Sequence, residues 1–141
     1  MGKDNEKKAS KLDLAAFDTV DKANSGQEME VLHPATGESI GSYIILAGAD
    51  SEVYRAAQRK IANKRLSNPS FRGQFKLTVE QLEVETLELL ARCTLSWREV
   101  VYKGEQMPCT PENAKMLYKA LPWLRDQVNG FIEDRSNFLS S

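Results

Sequence analysis

Two hydrophobic periods alternate along this chain. Glu28-Met29-Glu30-Val31 sets charged and apolar side chains on opposite faces at a period of two, and Ser39 to Leu46 reads as a return strand. Between them, Pro34-Ala-Thr-Gly-Glu38 supplies a proline at the turn entry and Gly37 where a positive φ is expected, which predicts a hairpin with a loop of about four to five residues. From Ser51 to about Leu66 the period lengthens to that of a helix. Val53, Ala57 and Ile61 recur every fourth residue with Tyr54, Ala62 and Leu66 beside them, a stripe expected to face the core, and Asp50 stands where it could cap the first turn. Asn68-Pro69-Ser70 ends that helix, and a loop carrying Phe71, Arg72, Phe75 and Lys76 follows.

Thr78 and Gln81 then make a T-x-x-Q capping box, opening a helix through about Ser96 whose apolar face is Leu82, Leu87, Leu90 and Ala91. Trp97 to Tyr102, around Val100 and Val101, reads either as a further strand or as a loop, turned by Lys103-Gly104. Thr110-Pro111-Glu112 has the order of a helix start: a capping hydroxyl, a proline at the first helical position and an acid at the positive end of the dipole. Ala114, Leu117, Tyr118 and Leu121 continue it. Pro122 either breaks this helix or begins another, and Trp123, Leu124, Gln127, Val128, Phe131 and Ile132 share one side of a segment ending near Asp134.

These elements predict an α+β fold, an N-terminal β-hairpin with a third short strand left open, packed against about four α-helices. A hairpin alone is marginal in water, so helices must cover one face. Residues 1–27, where Lys3, Lys7, Lys8 and Lys11 mix with Asp4, Glu6 and Asp13, read as a mobile N-terminal tail. Within it, Leu12, Leu14, Ala15, Ala16 and Phe17 form a short apolar segment able to dock as one or two helical turns, on its own domain or on a partner. Residues 28–141 read as a single α+β domain.

Composition sharpens this picture mainly by exclusion. The chain has 141 residues, 41% hydrophobic and 28% charged, which suits one core and argues against wholesale disorder. A formal net charge of −1 gives no global attraction for nucleic acid or an anionic membrane, so such a partner would need a local patch. The longest purely apolar run is Tyr43 to Ala47, far short of the roughly 18 residues of a membrane span. Glu6 occupies the position where a myristoylation signal following Gly2 requires Ser or Thr. With no secretory segment and only Cys93 and Cys109, the expectation is a soluble cytosolic protein with reduced thiols.

Candidate chemistry is sparse. His33 is the only histidine and lies at the hairpin turn, so no zinc set assembles within the chain. Cys93 falls on an apolar helix side, whereas Cys109 precedes a helix N-terminus that would favour a thiolate, although no base accompanies it. Glu80, Glu83, Glu85 and Glu88 ring one helix at mixed spacings, as a solvated face does. Neither a P-loop nor a dinucleotide fingerprint occurs. No catalytic, cofactor-binding or metal-binding residues are therefore assigned, no cofactor is expected, and function is sought on surfaces.

Two surfaces stand out. The first is a basic row, Arg55, Arg59, Lys60, Lys64 and Arg65, which either tracks phosphates with help from Phe71 and Phe75 or pairs with a neighbouring acidic helix; the pairing, or a basic face for a protein partner, is the favoured reading. The second is the aromatic C-terminal run, from which Trp123, Phe131, Phe138 and Leu139 are taken as partner-binding candidates beside Arg55, Arg59, Lys60 and Arg65.

The stretches EVLHPATGESIG, YRAAQRKIANKRL, LELLARCTLSW and PENAKMLYKALPWLRDQVNGFIEDRSNFL together resemble a family of small proteins from the tail-morphogenesis modules of siphophages and prophages, often described as tail assembly chaperones. The resemblance spans Glu28 to Leu139 and offers no active-site motif. It implies a non-enzymatic protein of the host cytoplasm whose partners are the tape-measure and/or tail-tube protein, with no membrane involvement and with self-assembly into a homo-oligomer open. The alternative is a structural virion component, a tail-completion or head-to-tail connector subunit built through a sheet edge or the C-terminal helix. A nucleic-acid-binding regulator acting through the basic helix is the third reading.

Overall fold

The computed structural model describes residues 13–67 and 78–139. The loop with Phe71, Arg72, Phe75 and Lys76, and the sequence before Asp13, lie outside the described residues.

Alternation at the hairpin becomes two antiparallel strands, β1 (Gln27–Leu32) and β2 (Ser39–Leu46), with Met29 opposite Ile44. Met29, Val31, Ile44 and Leu46 are buried on the inner face, while Glu28 and Glu30 remain outside. His33 holds the turn together. Its backbone N–H donates to Glu38 at 2.7 Å, its carbonyl accepts from Gly37 at 2.9 Å, and its Nδ1 accepts from Ala35 and Thr36 at 3.0 and 3.2 Å. Gly37 takes a φ of +76°, the left-handed conformation that glycine adopts without steric cost.

Five α-helices occur among the described residues: α1 (Val20–Ser25), α2 (Glu52–Ser67), α3 (Val79–Cys93), α4 (Pro111–Ala120) and α5 (Pro122–Glu133). The capping box at Thr78 and Gln81 is complete, and Thr110 caps α4 by accepting from Asn113 at 3.1 Å with Pro111 in the first turn. Pro122 opens a new helix. The open third strand is present as β3 (Thr94–Arg98), which leaves α3 directly and pairs antiparallel with β2, giving the order β1-β2-β3. The predicted helix therefore ends three residues before Ser96. A second, two-stranded sheet, β4 (Val101–Tyr102) with β5 (Glu105–Gln106), turns at Lys103 and Gly104, both at positive φ as a tight hairpin demands.

Helices α3, α4 and α5 cover the inner face of the three-stranded sheet. Leu87, Leu90 and Ala91 of α3, Leu117 and Tyr118 of α4, and Leu124, Val128 and Ile132 of α5 form one cluster with the strand residues, each large side chain contributing about 1.5–3 kcal/mol by burial. The buried Tyr118 hydroxyl shares a 2.7 Å hydrogen bond with Thr94, whose Oγ lies 2.8 Å from the Leu90 carbonyl, so a polar group enters the core with its partner. Gln127 reaches from α5 to edge strand β1, accepting from the Leu32 N–H at 3.0 Å and donating to its carbonyl at 2.8 Å.

Three expectations are corrected. The domain begins before Glu28: Gln27 is already in β1, Ala23 of α1 is buried, and Asn24 accepts the Glu52 N–H at 2.7 Å. Within the same stretch Leu14–Phe17 forms a single 3₁₀ turn, exposed throughout rather than docked on the core. Asp50 does not cap α2. The buried Ser51 does so, its Oγ accepting from Tyr54 at 3.1 Å, because the Asp50 carboxylate is engaged by a cation. Arg135 donates to it through Nε and Nη2 at 2.7 and 3.0 Å, and the Thr19 hydroxyl donates at 2.5 Å. The third correction concerns the C-terminal aromatics. Phe138, in a 3₁₀ turn (Arg135–Phe138), is buried edge-to-face on Phe131 with ring centroids 5.7 Å apart, and its ring lies so near Gly48 that a Cβ there would come within 3.0 Å of it. It is core, not a partner contact.

The bonds from Arg135, then Thr19, hold the Asp50 carboxyl down at about 2 against an opposing effect of burial. A carboxylate with a depressed folded-state pKa stabilises above its unfolded pKa near 4, and that stability is lost as pH falls through the folded value. Asp50→Asn should therefore lower stability at pH 7 by about 1–3 kcal/mol, and the gap to the wild type should shrink as pH falls from about 4 towards 2. Urea denaturation of both proteins across this range checks the prediction; superimposable curves at pH 7 contradict it.

Candidate interaction site

Helix α2 is the least buried of the long helices. Only Ala57 of the predicted core stripe is fully buried; Ile61 and Tyr54 are half-buried, whereas Val53, Ala62 and Leu66 are exposed. The physical reason is that α3 is its main neighbour, so one line of side chains suffices to close the contact and the flanks stay in water. Helix α3 is itself divided. Its C-terminal half supplies Leu87, Leu90, Ala91 and Cys93 to the core, whereas Val79, Leu82 and Val84 in its N-terminal half are 76%, 46% and 62% exposed.

Charge fixes the seam between the two helices. Arg65 makes a two-pronged ion pair with Glu85, its Nε at 2.9 Å, and Lys64 meets Glu88 at 3.4 Å, which also receives Arg92 at 3.3 Å. Burial opposes ionisation of Glu88, but Arg92 and Lys64, with Lys115 of α4 nearby, outweigh it and lower its pKa. The basic row and the acidic ring thus face each other, the pairing favoured from the sequence. Arg59 pairs with Glu52 at 2.8 Å on the solvent side, and Arg55 and Lys60 form no ion pair among the described residues.

Two grooves flank this seam. One, of about 320 Å³, has Lys64 and Arg65 on the α2 wall and Glu80, Glu85 and Glu88 on the α3 wall, with Ile61, Gln81 and Val84 between them. The other, of about 300 Å³, is lined by Gln58, Ile61, Ala62, Leu82, Thr86 and Leu89, and only the Arg65–Glu85 pair brings charge to it. The 3.6-residue turn places Lys64, Val84 and Glu88 on one side of the seam and Ala62, Leu82 and Thr86 on the other. Leu66, 74% exposed, lies one turn beyond Ala62 on the same edge.

Of the partner candidates read from the sequence, Arg55, Arg59, Lys60 and Arg65 all lie on α2 but not on one face: Arg55 and Arg59 fall on the Ala62 side of the seam, Lys60 on the Lys64 side, and Arg65 within it. The aromatic set is not. Trp123 and Phe131 pack against the core, Phe138 is inside it, and Leu139 is 38% exposed. What the sequence reading missed is the apolar surface of α3, because Leu82 was grouped with Leu87 and Leu90 on one face. The available signal was a second row at helical spacing, Val79, Leu82, Thr86 and Leu89, on a helix that already had its core face.

Elsewhere the geometry supplies little chemistry. Among the described residues no group of three or more His, Cys, Asp or Glu side chains is arranged to hold a metal ion, and no helix is long and apolar enough to cross a membrane. Burial pushes the Cys93 thiol up to about 12. The thiol of Cys109 is raised rather than lowered, by partial desolvation, which reverses the expectation drawn from its place before α4. No family model, curated protein or solved structure matches the chain.

A thiol-specific reagent at pH 7 should label the exposed Cys109 slowly and leave the buried Cys93 untouched until denaturant is added. Equal labelling of both thiols in the folded protein would contradict this arrangement.

Proposed function

We propose that this protein works without chemistry of its own, holding an amphipathic helix of a client protein in the groove between α2 and α3 that Leu82 and Leu89 line. The observation that carries the reading is the composition of that groove. Ile61, Ala62, Leu82, Thr86 and Leu89 line it, and Leu66 continues its edge, so apolar side chains lie exposed on two neighbouring helices. A third helix laid along such a groove would bury its apolar stripe against both walls, as helix-in-groove recognition does. Each leucine transferred from water would contribute about 1.5–3 kcal/mol.

The resemblance to tail assembly chaperones names the client. A tape-measure protein is long and helical and must be kept soluble while tail-tube subunits assemble around it, and a groove whose only charges are the mutually paired Arg65 and Glu85 tolerates many helical sequences. On this reading the protein acts in the cytoplasm of the infected or lysogenic bacterium and is absent from the finished particle.

Co-expression with a tape-measure protein should yield a soluble complex that elutes together on sizing. Leu82→Asp, at a position exposed enough to leave the fold intact, should weaken that complex by about tenfold or more, since it puts a charge into an apolar contact. A tape measure that stays insoluble beside the wild-type chain, with no complex on sizing, defeats the proposal. Several copies per particle in the mass spectrum of purified virions would favour a structural subunit instead.

A further inference from the structure

The fold leaves one apolar segment without a place inside its own chain. Leu14 and Phe17, in the 3₁₀ turn ahead of α1, are 84% and 49% exposed, and Val20 at the start of α1 is exposed as well. Between Asp13 and Asp21 the same stretch carries the carboxylates Asp13, Asp18 and Asp21 and no cation. It is nevertheless held in shape. Asp13 caps the turn by accepting from the Ala15 N–H at 2.9 Å, Asp18 accepts from the Val20 N–H at 2.8 Å, and the Thr19 hydroxyl donates to Asp50. An ordered segment with large apolar side chains turned to water has the surface of a ligand rather than of a core element.

The groove lined by Ile61, Ala62, Leu82 and Leu89 has the matching character. Arg55 and Arg59 flank it, on the Ala62 side of α2. Arg55 makes no ion pair among the described residues, and Arg59 has only the exposed Glu52. A segment that is apolar and acidic therefore fits a groove that is apolar and bordered by guanidinium groups. It does not reach that groove within one chain. Thr19 is tied to Asp50, just ahead of α2, whereas Ala62 lies about 17 Å along the helix from its cap at Ser51. Phe17 is two residues from Thr19, a span of about 7 Å at most.

We infer that copies of this chain join head to tail, the segment from Leu14 to Val20 of one copy seated in the α2–α3 groove of the next. Leu14 and Phe17 meet the apolar lining, and the neighbouring carboxylates lie toward Arg55 and Arg59. The joint is heterologous, because arm and groove are different surfaces, so each copy offers one of each and assembly continues until a ring closes. The Thr19–Asp50 bond keeps the arm from folding back onto its own α2, which leaves it free for a neighbour. This inference shares its groove with the client reading but requires no client; a client that takes the groove displaces the arm.

Sedimentation velocity of the full chain should show species larger than the monomer at micromolar concentration. Phe17→Asp spoils the arm and Leu82→Asp spoils the groove, and each should weaken self-association by about tenfold or more. Both side chains are exposed, so helical circular dichroism should stay like that of the wild type. Mixing gives the stricter test. The Leu82→Asp chain brings an intact arm and the Phe17→Asp chain an intact groove, so together they should form a one-to-one complex that neither forms alone and that grows no further. If Leu82→Asp loses its helical signal, Phe17→Asp decides in its place. A wild-type chain that is monomeric throughout, an assembly indifferent to Phe17→Asp, or folded variants that fail to pair on mixing overturns the inference. Phe17→Asp keeps its groove and should still hold a client, so loss of self-assembly and loss of client binding are read separately.

Discussion

Asp50 sits where β2 gives way to α2, and its carboxylate accepts hydrogen bonds from Thr19, ahead of the hairpin, and from Arg135, behind the last long helix. Elements far apart in sequence therefore meet at one short junction. Around it the backbone is equally committed: Gly48 donates to Ala23, Ala49 donates to Ile132, and Ala47 donates to Cys93. The ring of Phe138 closes over Gly48 so nearly that a side chain there would press on it. The junction sets the direction in which α2 departs, so the placement of that helix rests on a carboxylate, a guanidinium and a glycine together with the packing of Tyr54 against the core and the buried Ala57.

That division organises the molecule. The sheet with α3 to α5 is packed as an ordinary core, with its buried tyrosine hydroxyl satisfied and its strands paired antiparallel through one register shift in each ladder. The α2–α3 pair beyond it is joined by the half-buried Ile61 and by two ion pairs across partly exposed side chains, interactions that contribute little individually in water, about 0–1 kcal/mol each. A helix pair joined in this way gives its apolar flanks little else to do within the chain. The same feature that makes it a weak contributor to folding makes it available to a partner.

Much of the architecture was legible in the sequence because it rests on local rules. Alternation gave β1, Gly37 gave the turn, and the hydroxyls of Thr78 and Thr110 marked two helix starts that hold to the residue. The failures share a cause. Asp50 obeys the capping rule locally but is claimed by Arg135, which lies 85 residues away and could not be weighed from spacing. Phe138 looked like a loose aromatic near the end of the chain because nothing in the sequence said that Gly48 would leave a space for its ring. For the site, the charges of α2 and α3 were visible and their pairing was anticipated. The exposure of Leu66, Leu82 and Val84 was not, since an apolar row at helical spacing looks the same whether a neighbour covers it or water does.

The amide of Gln127 offers Leu32 both a donor and an acceptor, which is what the next strand of a sheet would offer. At that residue the edge of β1 already has a neighbour, supplied by a helix, and the outward carboxylates of Glu28 and Glu30 flank the rest of the strand with negative charge. This edge of the sheet, unlike the opposite edge at β3, is thereby guarded against growing by the addition of another chain's strand.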